Sequence, residues 1–297
     1  MSRKQKIKAV LDTDTYNEID DQFALAYLML AKELFEVRGV FAAPFSNSRS
    51  SGPADGMEKS YEEILRLFEL LGENPEKLVF RGSRAYLPDR NTPVDSPAAR
   101  RLIELAGEAR ADGEKLAVLA IAAITNVASA LLIAPEIAND ISIIWLGGHE
   151  YDFENNREFN LFQDVPAGQV IFDSGAELIH VPCCNVASAL LTDVPELFAR
   201  CRPSGRLGKY LAEITRDYMA EDKVEKKVIW DIATVGFLSC PEAFKNEVIS
   251  APILRDDSSW ELTAGRHPVT VVRAIDRDIV FDDLFARLAE FAAGRNN

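Results

Sequence analysis

Four aspartates near the start of the chain could together hold a metal ion: Asp12, Asp14, Asp20 and Asp21. Carboxylates this close in sequence repel one another strongly unless a cation lies between them. An aspartate at the start of a helix often caps it, but capping accounts for one or two of these residues and not for all. Because oxygen ligands suit Ca²⁺ or Mg²⁺ better than Zn²⁺, we predict a divalent-metal site here.

Further polar residues follow other apolar runs, where a bound molecule could reach them. Each also has an ordinary structural interpretation, since loop asparagines form turns, and threonines and aspartates cap helices. The long polar segment after residue 146 is notable, because long loops within compact domains are usually functional. These further candidates are Asn47, Thr125, Asn126, His149, Glu150, Asp152, Glu154, Glu158, Asn160 and Asp231.

The elements that must position these residues alternate along the chain. Strands are predicted at residues 7–11, 37–43, 78–80, 116–121, 141–146 and 178–181. Helices are predicted at residues 20–35, 56–71, 97–110, 126–133, 165–173, 194–200 and 205–221, with another starting near 231. Towards the C-terminus, residues 247–254, 260–263 and 269–274 predict a hairpin or meander, followed by a helix at 281–293.

This alternation predicts an α/β fold with a mostly parallel central sheet flanked by helices. No linker, internal repeat or low-complexity segment divides the sequence, so residues 1–297 are predicted to form a single domain. Ligands of such sheets bind beyond the carboxyl ends of the strands. The aspartate cluster and most of the other candidates follow predicted strands, so we expect them at that edge.

Composition limits the class of protein. The chain is 47% hydrophobic and 27% charged, as in globular proteins, and its net charge of −14 argues against nucleic acid as a partner. The four cysteines have no zinc-site spacing and predict free thiols in a reducing compartment. We found no signal-peptide pattern and no apolar run that could span a membrane, so we expect a cytoplasmic protein without a membrane partner.

Taken in order, these segments resemble the inosine/uridine-preferring nucleoside hydrolase family over about residues 7–240. The family's opening signature, Asp-x-Asp followed by Asp-Asp-x-x-Ala, is matched by residues 12–24. An asparagine after the second strand is matched by Asn47, and a Leu/Ile-Thr-Asn turn by residues 124–126. A Glu-Phe-Asn stretch before an aspartate and a helix is matched by residues 158–164, and a carboxylate heading a late helix by Asp231. Each motif alone is weak, whereas the ordered set is specific.

The resemblance implies an enzyme that hydrolyses the N-glycosidic bond of ribonucleosides or related N-ribosides, with Ca²⁺ as cofactor and a role in purine or pyrimidine salvage. The general base would be Asp14. The implied metal ligands are Asp14, Asp21, the Thr125 carbonyl and Asp231. The implied ribose contacts are Asp20, Asn47, Glu158 and Asn160. The resemblance also implies a homodimer or homotetramer.

Two features depart from the family's pattern. Five residues instead of three separate Asp14 from the aspartate pair, and this longer loop brings Tyr16 and Glu18 toward the expected pocket. Trp230 stands where well-known members carry a histidine that acts on the leaving base, and an indole is not a general acid at neutral pH. Trp230 could stack on the base or pack in the core. The candidates for contact with the leaving base are Tyr16, Glu18, His149 and Trp230.

Two other functions stay open from the sequence. Without the usual acid, the protein could bind ribosides and not turn them over. A haloacid dehalogenase-like phosphatase also begins with a strand and Asp-x-Asp, here Asp12 and Asp14, but that class needs a later lysine and an acidic pair at strand ends. Lys115 precedes a strand, and the acidic pair at 256–257 comes very late. The phosphatase interpretation also leaves Glu158 unexplained.

Overall fold

The computed structural model of the chain describes residues 5–153 and 155–295, and an eight-stranded sheet forms its centre. Glu154, one of the loop candidates, lies outside the described residues. The strands are β1 Ile7–Thr13, β2 Phe35–Ala42, β3 Val79–Arg81, β4 Leu116–Ala120, β5 Ile141–Leu146, β6 Glu177–Val181, β7 Leu191–Asp193, β8 Lys226–Val228, β9 Phe244–Ser250, β10 Ile253–Leu254, β11 Trp260–Glu261 and β12 Pro268–Ile275.

Across the large sheet the strand order is β3-β2-β1-β4-β5-β6-β12-β9. Neighbouring strands are parallel, except that β9 runs antiparallel to β12 at one edge. The chain direction across the sheet reverses between β1 and β4, where Asp12 pairs with Ala120. A ligand crevice is expected beyond the carboxyl ends of two such strands, because the loops that follow them diverge.

Helices cover both faces of this sheet. They are α1 Asp20–Leu30, α2 Pro53–Leu71, α3 Pro97–Ala111, α4 Thr125–Ile133, α5 Phe159–Gln163, α6 Val165–Asp173, α7 Val194–Cys201, α8 Gly205–Asp222, α9 Ile232–Ser239 and α10 Arg277–Arg295. Successive strand residues point to opposite faces, so Leu11 and Leu119 join one apolar core and Val10 and Val118 join the other. With both faces covered, β4 is wholly apolar, and β1 is mainly apolar before it reaches Asp12 and Thr13.

The predicted fold class is confirmed, but several boundaries differ, and two of the differences have a clear physical cause. The helix predicted over residues 20–35 ends at Leu30, and Phe35 begins β2, because the N–H of Phe35 closes a turn onto the Ala31 carbonyl and the chain then pairs with β1. The strand predicted over 247–254 is divided into β9 and β10 at Pro252, which has no N–H to donate to a ladder.

The C-terminal strands were predicted as a hairpin or meander, and the structure shows where they pair. β12 enters the large sheet between β6 and β9, and only β10 and β11 form a separate hairpin. Two short elements not predicted, β7 and β8, pair antiparallel beside the sheet. All four cysteines are free thiols, as predicted. Among the described residues, no helix combines the length and apolarity needed to cross a membrane.

Candidate active site

The turn between β1 and α1 gathers three aspartates at the carboxyl end of the central strand. Asp14 follows β1, and the Asn17 N–H closes the turn with a 2.7 Å hydrogen bond to the Asp14 carbonyl. Asp20 and Asp21 then begin α1, and Asp231 immediately precedes α9. Carboxylate oxygens of Asp20, Asp21 and Asp231 lie within 4.8 Å of one another. The fold therefore unites the N-terminal cluster with the distant aspartate, a grouping that the sequence implied only through the family resemblance.

Burial strongly disfavours the ionised forms of these carboxylates. Burial raises the pKa of Asp14 well above its usual range, and the charges of Asp21 and Asp20 raise it further. Burial and the charge of Asp20 raise the pKa of Asp21 to about 8, and burial with the neighbouring aspartates also raises the pKa of Asp231. Both side-chain oxygens of Asp14 are buried without a hydrogen-bond donor among the described residues. Such a donor set fits a divalent cation, which would offset the charge.

The residues behind this cluster brace the ends of β1 and β4. Oδ1 of Asp12 accepts a 2.7 Å hydrogen bond from Nδ2 of Asn126, and Oδ1 of Asn126 accepts one of 2.7 Å from the Ser83 N–H. Thr125 begins α4 and is fully buried, and its hydroxyl donates to Oδ2 of Asp164 at 2.6 Å. Asp12 thus supports the strand end. The Thr125 carbonyl as a metal ligand stays a prediction.

A cavity of about 300 Å³ opens beside the aspartates, at the lower end of the range for small-molecule sites. Eight predicted site residues line it: Glu18, Asp20, Asp21, His149, Glu158, Asn160, Trp230 and Asp231. Four other predicted site residues are not part of the described lining: Asp14, Tyr16, Asn47 and Thr125. The sequence motifs therefore come together at one cavity, with Asp14 completely buried next to it.

Glu158 organises the wall of the cavity opposite α1. Its carboxylate caps α5 by accepting the N–H groups of Asn160 and Leu161, both at 3.0 Å, and it accepts the Gly148 N–H at 2.6 Å. Nδ2 of Asn160 donates to the Leu146 carbonyl at 3.0 Å. Burial raises the pKa of Glu158, and the three backbone hydrogen bonds oppose that rise. Both side chains are therefore held in fixed orientations at the cavity.

The loop between Asp14 and Asp20, which is longer than the family's pattern, is held by the segment that follows β2. Nδ2 of Asn47 donates to Oδ1 of Asn17 at 2.7 Å, and Oδ1 of Asn47 accepts the Arg49 N–H at 2.8 Å. The Arg49 guanidinium lies 4.5 Å from the centroid of the Tyr16 ring and donates to the Glu18 carbonyl at 3.1 Å. In this structure Asn47 and Tyr16 thus order the loop, and Asn17 and Glu18 are the loop residues that reach the cavity.

Glu18 is held by partners that lie far away in sequence. It accepts a 3.0 Å hydrogen bond from the Tyr218 hydroxyl and forms an ion pair with Lys227. Nζ of Lys227 also lies 3.8 Å from Oδ1 of Asp20, and the Lys227 side chain is only 8% exposed. The buried ammonium group of Lys227 thus links the loop between Asp14 and Asp20 to the aspartate cluster.

Trp230 both packs against the core, as one of its sequence interpretations predicted, and borders the cavity. Stacking on a base stays a prediction. His149 lies elsewhere in the lining, half-buried, with its Nδ1 3.4 Å from the Cys184 N–H and its Nε2 3.8 Å from the Cys184 Sγ. Burial lowers the pKa of His149, which favours the neutral ring at pH 7. Neither side chain is therefore arranged as a cationic acid.

Sequence reasoning missed several residues at the site. No sequence pattern pointed to Lys227, because its role depends on Glu18, which lies far away in sequence. Others could have been found from their positions at or just after strand ends, which is where ligands bind in parallel sheets. The unpredicted lining residues are Asn17, Ile121, Leu146, Arg157, Phe159, Cys183 and Cys184.

The arrangement does not suit the phosphatase alternative. Lys115 immediately precedes β4, at the opposite end of the strand from the aspartates, and forms a 2.9 Å ion pair with Glu177. Asp256 and Asp257 lie in the turn between β10 and β11. Oδ1 of Asp256 accepts from Nε2 of Gln169 at 2.8 Å. The lysine and the acidic pair that the sequence offered for a phosphatase are therefore not at this site.

Comparisons with known proteins agree with the ordered motifs. The family model described as inosine-uridine preferring nucleoside hydrolase matches residues 9–282. A relative from Arabidopsis thaliana, named "Probable uridine nucleosidase 2", is 26% identical over 171 residues, which cover 55% of this chain and 52% of that protein. The non-specific ribonucleoside hydrolase RihC of Salmonella enteritidis is 26% identical over 161 residues, covering 53% and 51%. The chain spans about half the length of the curated relatives it matches.

Solved structures share the fold over nearly the whole chain. A purine-preferring ribonucleoside hydrolase from Gardnerella vaginalis superposes with a TM-score of 0.76 at 20% identity, covering 96% of this chain and 99% of that one. An inosine-uridine preferring nucleoside hydrolase from Bacillus anthracis gives a TM-score of 0.66, also at 20% identity, covering 96% and 100%. Since the family model extends from β1 into α10, the chain belongs to the inosine-uridine preferring nucleoside hydrolase family.

Proposed function

We propose that this chain hydrolyses the N-glycosidic bond of ribonucleosides or related N-ribosides, giving ribose and a free base, with Ca²⁺ as its cofactor. The observation that carries the proposal is Asp14, a buried carboxylate without a donor next to three clustered aspartates that line a cavity. Oxygen-only donors favour Ca²⁺ or Mg²⁺ over transition metals. The choice of Ca²⁺ rests on the resemblance to the family. The proposed ligands are Asp14, Asp21, the Thr125 carbonyl and Asp231.

In the proposed mechanism, Asp14 accepts a proton from the water that attacks C1′ of the ribose. The bound cation would orient this water and the ribose hydroxyls and make the water easier to deprotonate. The cleavage is expected to pass through an oxocarbenium-like transition state, whose positive charge the surrounding carboxylates stabilise. Asp20, Glu158 and Asn160 hold the ribose hydroxyls.

Asn47 is also proposed as a ribose contact, and this role carries a structural condition. Its side-chain amide already bonds to Asn17. To reach a ribose hydroxyl, Asn47 would have to exchange that bond for one to the substrate. Substrate binding would then be coupled to a shift of the Asp14–Asp20 loop, which Asn17 belongs to.

The direct test is release of reducing sugar from a panel of purine, pyrimidine and other N-ribosides in the presence of Ca²⁺. We expect ribose release that depends on the metal and on Asp14. The second candidate is a riboside-binding protein without turnover, which Trp230 favours because it replaces the histidine acid of well-known members. Tight binding of ribosides with no ribose release from any member of the panel would contradict the hydrolase and support the binding protein.

Assembly and cellular location are proposed from the resemblance and the composition. We propose a homodimer or homotetramer in the cytoplasm, acting on small N-ribosides in purine or pyrimidine salvage, with no nucleic-acid or membrane partner. Val248 and Leu262, which are 67% and 64% exposed, supply apolar surface near the C-terminal strands that a subunit contact could cover. Light scattering at micromolar concentration would measure the assembly, and a monomer would contradict it.

A further inference from the structure

Trp230 lines the cavity where the resemblance implies a histidine that protonates the leaving base. A neutral base that departs with the electrons of the C1′–N bond becomes an anion unless a proton reaches it. Trp230 offers an indole N–H, which does not titrate near neutral pH. The missing acid must therefore be supplied elsewhere in the cavity or made unnecessary by the substrate.

The nearby titratable side chains are already engaged with protein groups. Glu18 is bound to Tyr218 and Lys227, so its carboxylate is an acceptor. His149 lies against the backbone N–H and thiol of Cys184, and burial lowers its pKa. Among the described lining residues, Glu18 and His149 are therefore not placed to donate a proton to a base.

The titratable groups on the Glu158 side of the cavity are also engaged with other groups of the protein. Glu158 accepts three backbone N–H groups as the cap of α5. Cys183 is buried next to it, and burial raises the pKa of its thiol well above the usual range. Proton transfer from either group would break contacts that shape the wall.

The charge of the cavity favours a cation. Five carboxylates belong to the described lining, and the one cationic side chain in it, Arg157, is exposed and lies 3.7 Å from the centroid of the Phe162 ring. The acidic lining residues are Glu18, Asp20, Asp21, Glu158 and Asp231. Lys227 and the proposed metal ion offset part of this negative charge. The remainder attracts positive charge, and the face of tryptophan is the best aromatic surface for a cation.

From these observations we propose that the preferred substrates are ribosides whose aromatic base carries a permanent positive charge on a quaternary ring nitrogen. This rests on the proposed N-glycosidic hydrolysis and names its substrate class. Water forms the new bond to C1′, and the C1′–N bond breaks with both electrons passing to the ring nitrogen. The base leaves neutral and unprotonated, and the proton lost by water passes to Asp14. The reaction therefore balances without a leaving-group acid.

The test compares substrates of the same shape and different charge. The pairs are 7-methylguanosine against guanosine, and cationic N-ribosylnicotinamide against its neutral dihydro form. For each pair, kcat/KM is divided by the rate of spontaneous hydrolysis. We expect this normalised ratio to favour the cation by at least about tenfold, a factor equivalent to 1.4 kcal/mol. A ratio of one or less in either pair would overturn the inference.

Variants of Trp230 show whether the indole is responsible for the preference for cationic substrates. The contact from residue 230 to Asp20 is made by its backbone N–H, so a changed side chain leaves it in place. Trp230→Leu should reduce the preference for the cation about tenfold, Trp230→Phe should keep most of it, and Trp230→His should raise activity on guanosine. An unchanged preference in Trp230→Leu would contradict the proposal.

A binding measurement separates this inference from the proposed function. In Asp14→Asn, calorimetry should give a lower Kd for N-ribosylnicotinamide than for its neutral dihydro form, and Trp230→Leu on that background should remove the difference. If the wild type hydrolyses no member of either pair, the proposed N-glycosidic hydrolysis is contradicted. If it hydrolyses guanosine as well as 7-methylguanosine after normalisation, hydrolysis stands and the inference about charge fails.

Discussion

The backbone N–H of Trp230 donates a 3.0 Å hydrogen bond to Oδ2 of Asp20. This bond joins the start of α9 to the start of α1, so the residue at the proposed base-binding end helps to orient a carboxylate of the proposed ribose site. Because the donor belongs to the backbone, the side chain at position 230 can differ without loss of the contact. The two ends of the cavity can therefore vary separately, which is consistent with a preserved aspartate group beside an altered leaving-group end.

Replacement of Asp14 is expected to remove turnover while leaving the fold intact. Asp14→Asn and Asp14→Ala take away the proposed base, and removal of a catalytic proton acceptor typically costs about 10²–10⁴-fold in rate. Because Asp14 is a buried carboxylate without a donor, Asp14→Asn in metal-free buffer should also be at least as stable as the wild type. Ribose release and thermal unfolding measure the two effects.

The matched control is Asp152→Asn, which changes an exposed aspartate on the loop after β5. Its activity and stability should equal those of the wild type. Full activity in Asp14→Ala would refute the role of Asp14 as base. A large loss of stability in metal-free Asp14→Asn would show that the carboxylate has a structural partner.

Metal removal should lower both activity and stability. A ligand present at 1,000 times its Kd stabilises a folded protein by about 4 kcal/mol, which we expect to raise the Tm by roughly 5–10 °C. Ca²⁺ added to chelator-treated protein should produce this shift, and Asp21→Asn and Asp231→Asn should weaken it. Differential scanning calorimetry measures the shift without relying on activity. Equal Tm values with chelator and with Ca²⁺ would argue against a resident cation.

Lys227 is expected to hold the extended loop in place. Lys227→Met leaves Glu18 and Asp20 facing each other without their cation. Breaking a buried ion pair costs roughly 3–5 kcal/mol, but a third of the Glu18 side chain is exposed, so we expect a loss of about 2 kcal/mol. Because the loop borders the cavity, KM should rise more than kcat falls.

The double variant Glu18→Gln/Lys227→Met serves as the control for the lysine. It removes one charge of each sign, so part of the lost stability should return. Denaturant unfolding and steady-state kinetics report on both proteins. If the double variant is less stable than the sum of the two single changes predicts, the ion pair does not explain the effect.

His180 should make stability fall at acidic pH. It is fully buried, its Nδ1 lies 2.7 Å from the Tyr151 hydroxyl, and its Nε2 faces the Gly147 carbonyl. Burial lowers its pKa to about 4, against about 6.5 in the unfolded chain. The unfolded chain therefore binds a proton first as the pH falls. The contribution of His180 is fully present above pH 6.5 and is lost as the pH falls through 4, by about 3 kcal/mol.

The measurement for His180 is the free energy of unfolding of the wild type relative to His180→Gln at several pH values. Subtraction of the variant removes the contribution of the acidic groups that both proteins share. The advantage of the wild type should shrink by about 3 kcal/mol between pH 7 and pH 4. A pH-independent difference would mean that His180 binds a proton equally well in the folded chain.

Much of the fold could be predicted from local sequence. The boundaries of β5 and α6 were predicted without error, because each has a clear apolar pattern between turn residues. The end of α1 was predicted wrongly, since Leu34 and Phe35 continue a helical spacing although the chain has already turned toward β2. Local spacing cannot show which of two apolar patterns the tertiary contacts will favour.

The sequence by itself determined the aspartate motif, the order of the longer strands and helices and the unusual tryptophan, because each depends on residues adjacent along the chain. Only the tertiary structure decided that Asp231 meets Asp20 and Asp21, that Lys227 pairs with Glu18, and that Asn47 holds the loop. Those contacts join segments far apart in sequence, and they form only when β2 pairs with β1 and α9 packs against α1.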